Sequence, residues 1–485
     1  MTVTTTEHGR HADRRRSDAG RRPSRAERRA ERRAERAERA ERAERAERQA
    51  AGDLGPTPAH GRDGDAATTT AIAPEMPPHR ELVRRGLADD ARRFDLAGLA
   101  ERHGTPLLVL DADRVTGRLL ELRRHLPGVE IAVALKALPH PALIRAVDAF
   151  GASFDVASRG ELDLLEGEGV DVSRCVHTHP VKSIAELTSA YLRGVRTFVV
   201  DDPGEVDKFA GLPADARVLV RLSFPNPEAV SDLSSKFGVV PEAAPALVAH
   251  CLRSGREVAG FTFHVGSQTT SAEPWRRAIA RTLKLMRDLE AKHGVAFDTL
   301  DLGGGFPVAY DEPVPAFAVI AHGIREALAE APSRYRVIVE PGRFVAAPAM
   351  TLVTRVVGTA IRSDGRWVHL DDGLYGAYSN IAAEGVHALV FAASELAYRP
   401  PADEGSERAV RRLRELAHEP VTLAGPTCDS VDVIARALPL PPLGTGDLLV
   451  SPMMGAYTSA TATRFNGIEP TPIHVLGRGG HAVPR

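Results

Sequence analysis

Eight short apolar runs between residues 131 and 343, nearly every one closing on a polar or glycine-rich cluster, constrain this chain more than any other feature. They are IAVALKA (131–137), SFDVAS (153–158), CVHTHP (175–180), TFVVDD (197–202), RVLVRLSF (217–224), VAGFTFHVGS (258–267), TLDLGGGF (299–306) and RVIVEPGR (336–343). Helix-patterned segments such as ALIRAVDAFG and PALVAHCLRSG separate them, so strand and helix alternate as in parallel sheets with crossover helices. Eight such units predict a closed (β/α)8 barrel over residues 107–345. In that architecture chemistry sits at the C-terminal ends of the strands, where Lys136, Asp155, Arg221, His264, Gly303 to Gly305, Glu340 and Arg343 fall.

At 485 residues with 43% hydrophobic content, the chain is long enough for two globular domains and a tail. After the barrel the pattern becomes mainly β. MTLVTRVVGTAI and WVHLDDGLYGAY read as a hairpin turning at Asp364-Gly365, and VTLAGP and DLLVSPM add strands. Residues 346–485 are therefore expected to form a β domain, joined by the early strand LLVLD (107–111). Residues 1–78 read as a charged tail and linker. An Ala-Glu-Arg repeat over 26–48 places Glu before Arg at i,i+4, each pair worth ~0.3 kcal/mol, and supports at most a solitary helix or a disordered arm. The arm carries +6 over residues 1–50, leaving −8 for the rest, yet its glutamates nearly cancel its arginines, so no nucleic-acid partner is expected. Three scattered cysteines, no apolar run near ~20 residues and no secretory signal point to a cytoplasmic protein without a membrane partner.

Alternation in IAVALKA puts Ala132, Ala134 and Lys136 on the barrel-interior face, small residues leading to one amine with room for a planar group. A lysine at a strand end suits a Schiff base, although taken alone it reads equally as a surface lysine. Gly303-Gly304-Gly305 lets backbone N–H groups approach a phosphate or makes a tight turn. Glu340-Pro-Gly-Arg343 sets a carboxylate and a guanidinium on one rim, as a salt bridge or as partners of a pyridine nitrogen and a phosphate. Together these three motifs specify pyridoxal 5'-phosphate. His264 can stack on a flat ring and Ser267 can reach the phosphate, whereas His177 and His179 read as satisfied structural histidines. No spacing supports a metal.

The ordered set Ala-Leu-Lys136, Phe-Asp155-Val-Ala-Ser158, His264-Val-Gly-Ser267, Gly303-Gly-Gly305, Glu340-Pro-Gly-Arg343, Gly425-Pro-Thr-Cys428-Asp429-Ser430 and Gly455-Ala-Tyr457 resembles the fold-type III pyridoxal-phosphate decarboxylases of ornithine, diaminopimelate and arginine. The match runs from about Leu107 to about Gly467. The resemblance implies that Lys136 carries the cofactor, Glu340 partners its ring nitrogen and His264 stacks on it. It implies a phosphate site of Ser267, Gly303, Gly304, Gly305, Arg343 and Tyr457, with Asp155, Glu161 and Arg221 in support. It also implies a homodimer with shared sites, each completed by the partner's cysteine and neighbouring acid. Cys428 and Asp429 would be those residues, with the thiol returning a proton to the substrate's α-carbon.

For the substrate, Asp429 and Asp372 supply negative charge facing a distal ammonium, and Tyr375 lies in the same motif. The segment Asp-Gly-Leu-Tyr-Gly-Ala-Tyr-Ser-Asn resembles ornithine decarboxylases more than diaminopimelate decarboxylases, and Val431 departs from the latter. L-Ornithine, converted to putrescine for polyamine synthesis, is the leading expectation. Lysine is close behind, because one methylene gives only ~1–3 kcal/mol of discrimination. An amino-acid racemase and a non-catalytic partner-binding homologue share the plan, but the retained Lys136 and the Cys-Asp-Ser motif favour a decarboxylase.

Overall fold

The alternating runs close into a barrel. The computed structural model describes residues 78–227, 229–231, 233–397 and 418–477; the expectations for the charged repeat and linker over 1–77 lie outside the described residues. Strand β1 (Leu107–Asp111) precedes the barrel, which consists of β2 (Glu130–Ala134), β3 (Ser153–Val156), β4 (Val176–His177), β5 (Thr197–Val200), β6 (Arg217–Leu222), β7 (Val258–Phe263), β8 (Thr299–Asp301) and β9 (Arg336–Val339). All eight neighbour pairs are parallel, and β9 returns to β2. Alternation sends Ala132, Val176, Val199, Leu219, Ala259 and Ile338 inward, where they pack as one apolar plug. Their neighbours Val133, Phe154, Phe198, Val218, Phe261 and Val339 point outward into the main core under the helices. Strands are shorter than the apolar runs, because the last residues of each run turn away to form the rim.

The remaining strands build a second, mainly β layer: β10 (Met350–Arg362), β11 (Gly365–Leu370), β12 (Phe391–Ala392), β13 (Glu419–Ala424), β14 (Val433–Leu440), β15 (Leu448–Ser451) and β16 (Ile473–Leu476). Their order is β12-β15-β10-β11-β13-β14, and β1 joins the sheet between β10 and β16. The hairpin turns one residue earlier than expected: Arg362 pairs with Gly365, so Ser363-Asp364 is the loop and Gly365 takes φ 118° just beyond it. β11 and β13 run parallel, which brings their C-terminal ends and the two loops that follow them side by side.

Two helices, Pro78–Arg93 and Leu96–His103, occupy a stretch where no element was expected. Leu87, Phe94, Leu96 and Leu99 bury against Leu107, Val109, Val353, Phe391 and Val450, covering one face of the sheet. Arg80 lies 4.2 Å over the Phe391 ring and donates to the Val390 carbonyl at 2.7 Å, which fixes the first helix on that face.

Candidate active site

Beyond the C-terminal ends of the barrel strands lies a cavity of about 250 Å³, lined by Lys136, Arg221, His264, Ser267, Gly305, Glu340, Arg343 and Tyr457 among others. β2 stops at Ala134, and Lys136 sits in the single helical turn Leu135–Ala137 that follows. Its Nζ donates to Asp155 Oδ2 at 3.0 Å, while the Thr178 hydroxyl donates to Asp155 Oδ1. Burial disfavours the Lys136 ammonium, but the Asp155 carboxylate, with Tyr457 and Glu340 near, outweighs it and the net shift is upward. The side chain is nevertheless about half exposed, as befits an amine lining an open cavity.

His264 follows β7, and Gly266 N–H donates to its Nδ1 at 3.0 Å, which leaves the ring proton on Nε2. Burial, then the cations Arg221 and Lys136, lower its pKa to about 3, so the ring is neutral at physiological pH. Glu340 follows β9 with Oε1 buried and without a hydrogen-bond partner. Burial, reinforced by Asp301 and Asp155, raises its pKa. The buried Arg343 donates to the Tyr310 hydroxyl at 3.0 Å and to Ser267 Oγ at 3.3 Å, pairs with Glu384, and lies 5.0 Å over the Tyr457 ring. Tyr457 adopts φ 56°, and its N–H donates to the Ala137 carbonyl at 2.9 Å, tying it to the turn that bears Lys136.

The glycine triplet answers a packing demand. A Cβ on Gly303, Gly304 or Gly305 would stand 2.2, 2.5 or 2.3 Å from the backbone oxygens of Phe263, Glu340 and Gly266 respectively. Gly303 and Gly305 also take φ 63° and 103°. Of the three, Gly305 lines the cavity.

A second cluster lies in the loops after β11 and β13. Tyr375 donates to Asp429 Oδ2 at 2.5 Å and Val431 N–H to Oδ1 at 3.2 Å, and these bonds hold the half-buried Asp429 carboxyl below its ordinary pKa. Phe465 stacks on Tyr375 with ring centroids 4.4 Å apart. Cys428 is exposed, and Asn466 Nδ2 donates to its Sγ at 3.4 Å. Asp372 is buried: Gly373 N–H and Ala377 N–H donate to Oδ1 at 2.8 and 3.0 Å, Thr471 Oγ1 donates to Oδ2 at 2.5 Å, and burial raises its pKa to about 6. Three of its roughly four acceptor positions are thus filled, two by its own loop and one by Thr471. None of Cys428, Asp429, Tyr375 and Asp372 lines the barrel cavity. Within one chain the two clusters stay apart.

Several residues here were not singled out from the sequence. Asp432 accepts from Leu374 N–H at 2.7 Å and from Thr427 N–H and Oγ1 at 3.1 and 2.7 Å, clamping the two loops together. Its position inside Cys-Asp-Ser-Val-Asp was the available signal. Tyr310 and Glu384, which fix Arg343, carry no motif that could have marked them. Glu161 completes a capping box with Ser158 at the start of helix Arg159–Gly167, accepting from Ala157 N–H and Ser158 N–H, so it anchors the segment after Asp155. His177 corrects an expectation: it is buried and neither ring nitrogen has a hydrogen-bond partner, so it is not a satisfied histidine. His179, as expected, is engaged, accepting from Val181 N–H at 3.2 Å.

Residues 112–347 match the family model described as pyridoxal-dependent decarboxylase, pyridoxal binding domain. A lysine/ornithine decarboxylase of Selenomonas ruminantium is 35% identical, covering 77% of this chain and 90% of that protein. An ornithine decarboxylase of Caenorhabditis elegans is 33% identical, covering 78% and 88%. Among solved structures, the lysine/ornithine decarboxylase from Vibrio vulnificus, complexed with cadaverine in one crystal and with putrescine in another, matches with a TM-score of 0.71 and 38% identity. The cadaverine complex covers 79% of this chain and 97% of that one.

Proposed function

The chain belongs to the pyridoxal-dependent decarboxylases that act on basic amino acids, and from that premise we propose that it converts L-ornithine to putrescine and CO2 as a cytoplasmic homodimer with shared active sites. The observation that carries this reading is the division of the site: amine, acid and guanidinium line the barrel cavity, while the Cys428 thiol and the Asp429 carboxylate stand on a loop cluster outside it. A second copy of the chain, presenting its Cys428 and Asp429 to the cavity, unites them.

The cavity fits pyridoxal 5'-phosphate on its own chemistry. It offers a primary amine, a buried carboxylate oxygen without a donor, and a buried guanidinium flanked by hydroxyls. When bound, the cofactor supplies an aldehyde for the amine and a protonated ring that draws electrons from the bond to the departing carboxylate. Lys136 would hold the aldehyde, and Asp155, itself fixed by Thr178, would hold the Lys136 amine in place. Glu340 keeps the ring nitrogen protonated. Arg343, Ser267, Tyr457 and the backbone at Gly305 take the phosphate. His264, uncharged, presents a flat face that does not compete with the ring for its proton.

Cys428 of the second copy returns a proton to the substrate's α-carbon, since a thiol exchanges protons readily near neutral pH. Asp429, kept ionised by Tyr375, meets the distal ammonium, with Tyr375 beside it and Asp372 contributing charge from behind the loop. Lysine is the second reading, favoured by the lysine/ornithine relatives and separated from ornithine by one methylene.

Release of CO2 from ornithine, lysine, arginine and diaminopimelate by the purified protein tests the proposal. Highest kcat/KM on ornithine is expected, with a steep rise in KM for ornithine in Asp429→Ala. A preference for arginine or diaminopimelate, or an unchanged KM in that variant, overturns the substrate assignment.

A further inference from the structure

Two buried carboxyl oxygens at the barrel rim lack a hydrogen-bond donor: Glu340 Oε1 and Asp301 Oδ2. Asp301 ends β8, and its register partner on β9 is Ile338, two residues before Glu340. Glu340 N–H in turn donates to the Gly303 carbonyl at 2.9 Å, so the backbone holds the two side chains side by side, within hydrogen-bonding contact. Asp301 is fully buried; Gly303 N–H donates to its Oδ1 at 2.9 Å and Thr262, on β7, also bonds to it.

Ionised carboxylates only accept hydrogen bonds, so two of them meeting in a buried wall would repel and each would keep an unsatisfied oxygen. A single proton between Oδ2 and Oε1 satisfies both. The other groups facing the pair divide: Asp155, from β3, disfavours a second negative charge, whereas Lys136, after β2, favours ionisation of Glu340. Burial leads the balance and raises both carboxyls, so the proton stays as the cavity approaches neutral pH.

We propose that Asp301 is a positioning residue for the decarboxylation: it shares one proton with Glu340 and releases that proton to the ring nitrogen of the incoming cofactor. One O–H bond of the pair breaks and one N–H bond forms, with no further reactant. Glu340 then faces a protonated ring, and Asp301, ionised, retains the donors of Gly303 and Thr262. The inference rests on the assignment of Glu340 to the ring nitrogen.

Difference infrared spectroscopy of the full-length chain, freed of cofactor and then reconstituted with pyridoxal 5'-phosphate near neutral pH, tests it. Cofactor-free protein should show the carbonyl stretch of a neutral carboxylic acid, shifted in D2O, which disappears on reconstitution and is absent from Asp301→Asn. The proposal is overturned if the wild-type band is missing, survives reconstitution, or persists in Asp301→Asn. Should the variant fail to fold, the wild-type spectra before and after cofactor decide alone. Visible absorbance of the same samples reports loading, so a band that survives on loaded protein sinks only this inference. Absence of loading removes the cofactor assignment and the inference together.

Discussion

Asp432 holds the second cluster together more than any other residue of its motif. It is buried, three donors from two loops converge on its oxygens, and a Cβ on Gly373 or Gly425 would stand 2.3 Å from them. Asp432→Ala strands those donors and should cost about 3 kcal/mol, read as a lower urea midpoint, whereas Asp432→Asn keeps an acceptor and should cost about 1 kcal/mol. Equal stabilities for the two variants would remove the clamp. His177 makes a different test, because burial lowers its pKa to about 4 from an ordinary ~6.5. Above pH ~6.5 both folded and unfolded chains carry it neutral. Between ~6.5 and ~4 the unfolded chain takes a proton that the folded chain refuses, so stability falls as pH falls, by about 3 kcal/mol over the window. In His177→Leu the drop in unfolding free energy between pH 7.5 and 4.5 should shrink by that amount. An undiminished drop assigns the acid sensitivity to other groups.

The helices Pro78–Arg93 and Leu96–His103 are the elements whose removal should matter most outside the barrel. They cover Val353, Phe391 and Val450 on the sheet, while residues 1–75 contribute no apolar periodicity that could join a core. Deleting residues 1–75 should leave turnover and melting temperature nearly unchanged. Deleting 1–103 should expose the sheet face and yield aggregated protein, seen in size-exclusion profiles. A large loss from the shorter deletion would show that the arm packs on the enzyme. The barrel strands were legible because each apolar run ends in a marked cluster and alternation assigns the faces, as Ala132 inward and Val133 outward illustrate. The two helices were overlooked although Leu87, Phe94, Leu96 and Leu99 carry an apolar signal, since the stretch adjoins a polar linker. In the site, residues with their own chemistry, such as Lys136 and Glu340, could be read directly. Residues that act by holding others, such as Tyr310, Glu384 and Asp432, depend on contacts from distant segments, and short-range pattern does not encode those.

At the scale of the molecule, the separation of Lys136 from Cys428 underlies the proposed shared-site dimer and dictates how variants should combine. Each site of a shared-site homodimer draws Lys136 from one subunit and Cys428 from the other. Lys136→Ala and Cys428→Ala should each have little activity alone. Mixed and allowed to exchange, they form heterodimers for about half of all dimers, and each heterodimer holds one site with both residues intact, so about a quarter of wild-type activity should return. The reverse experiment sharpens the test. A chain with both substitutions, mixed in excess with wild type, draws wild-type subunits into heterodimers in which each site lacks one of the two residues, and activity should fall well below that of the wild-type protein present. If every chain carried a complete site, the first mixture would stay inactive and the second would keep its full wild-type activity. The two mixtures move in opposite directions under the shared-site arrangement and not at all under the independent one, so a steady-state assay with subunit exchange verified by a tagged chain separates them.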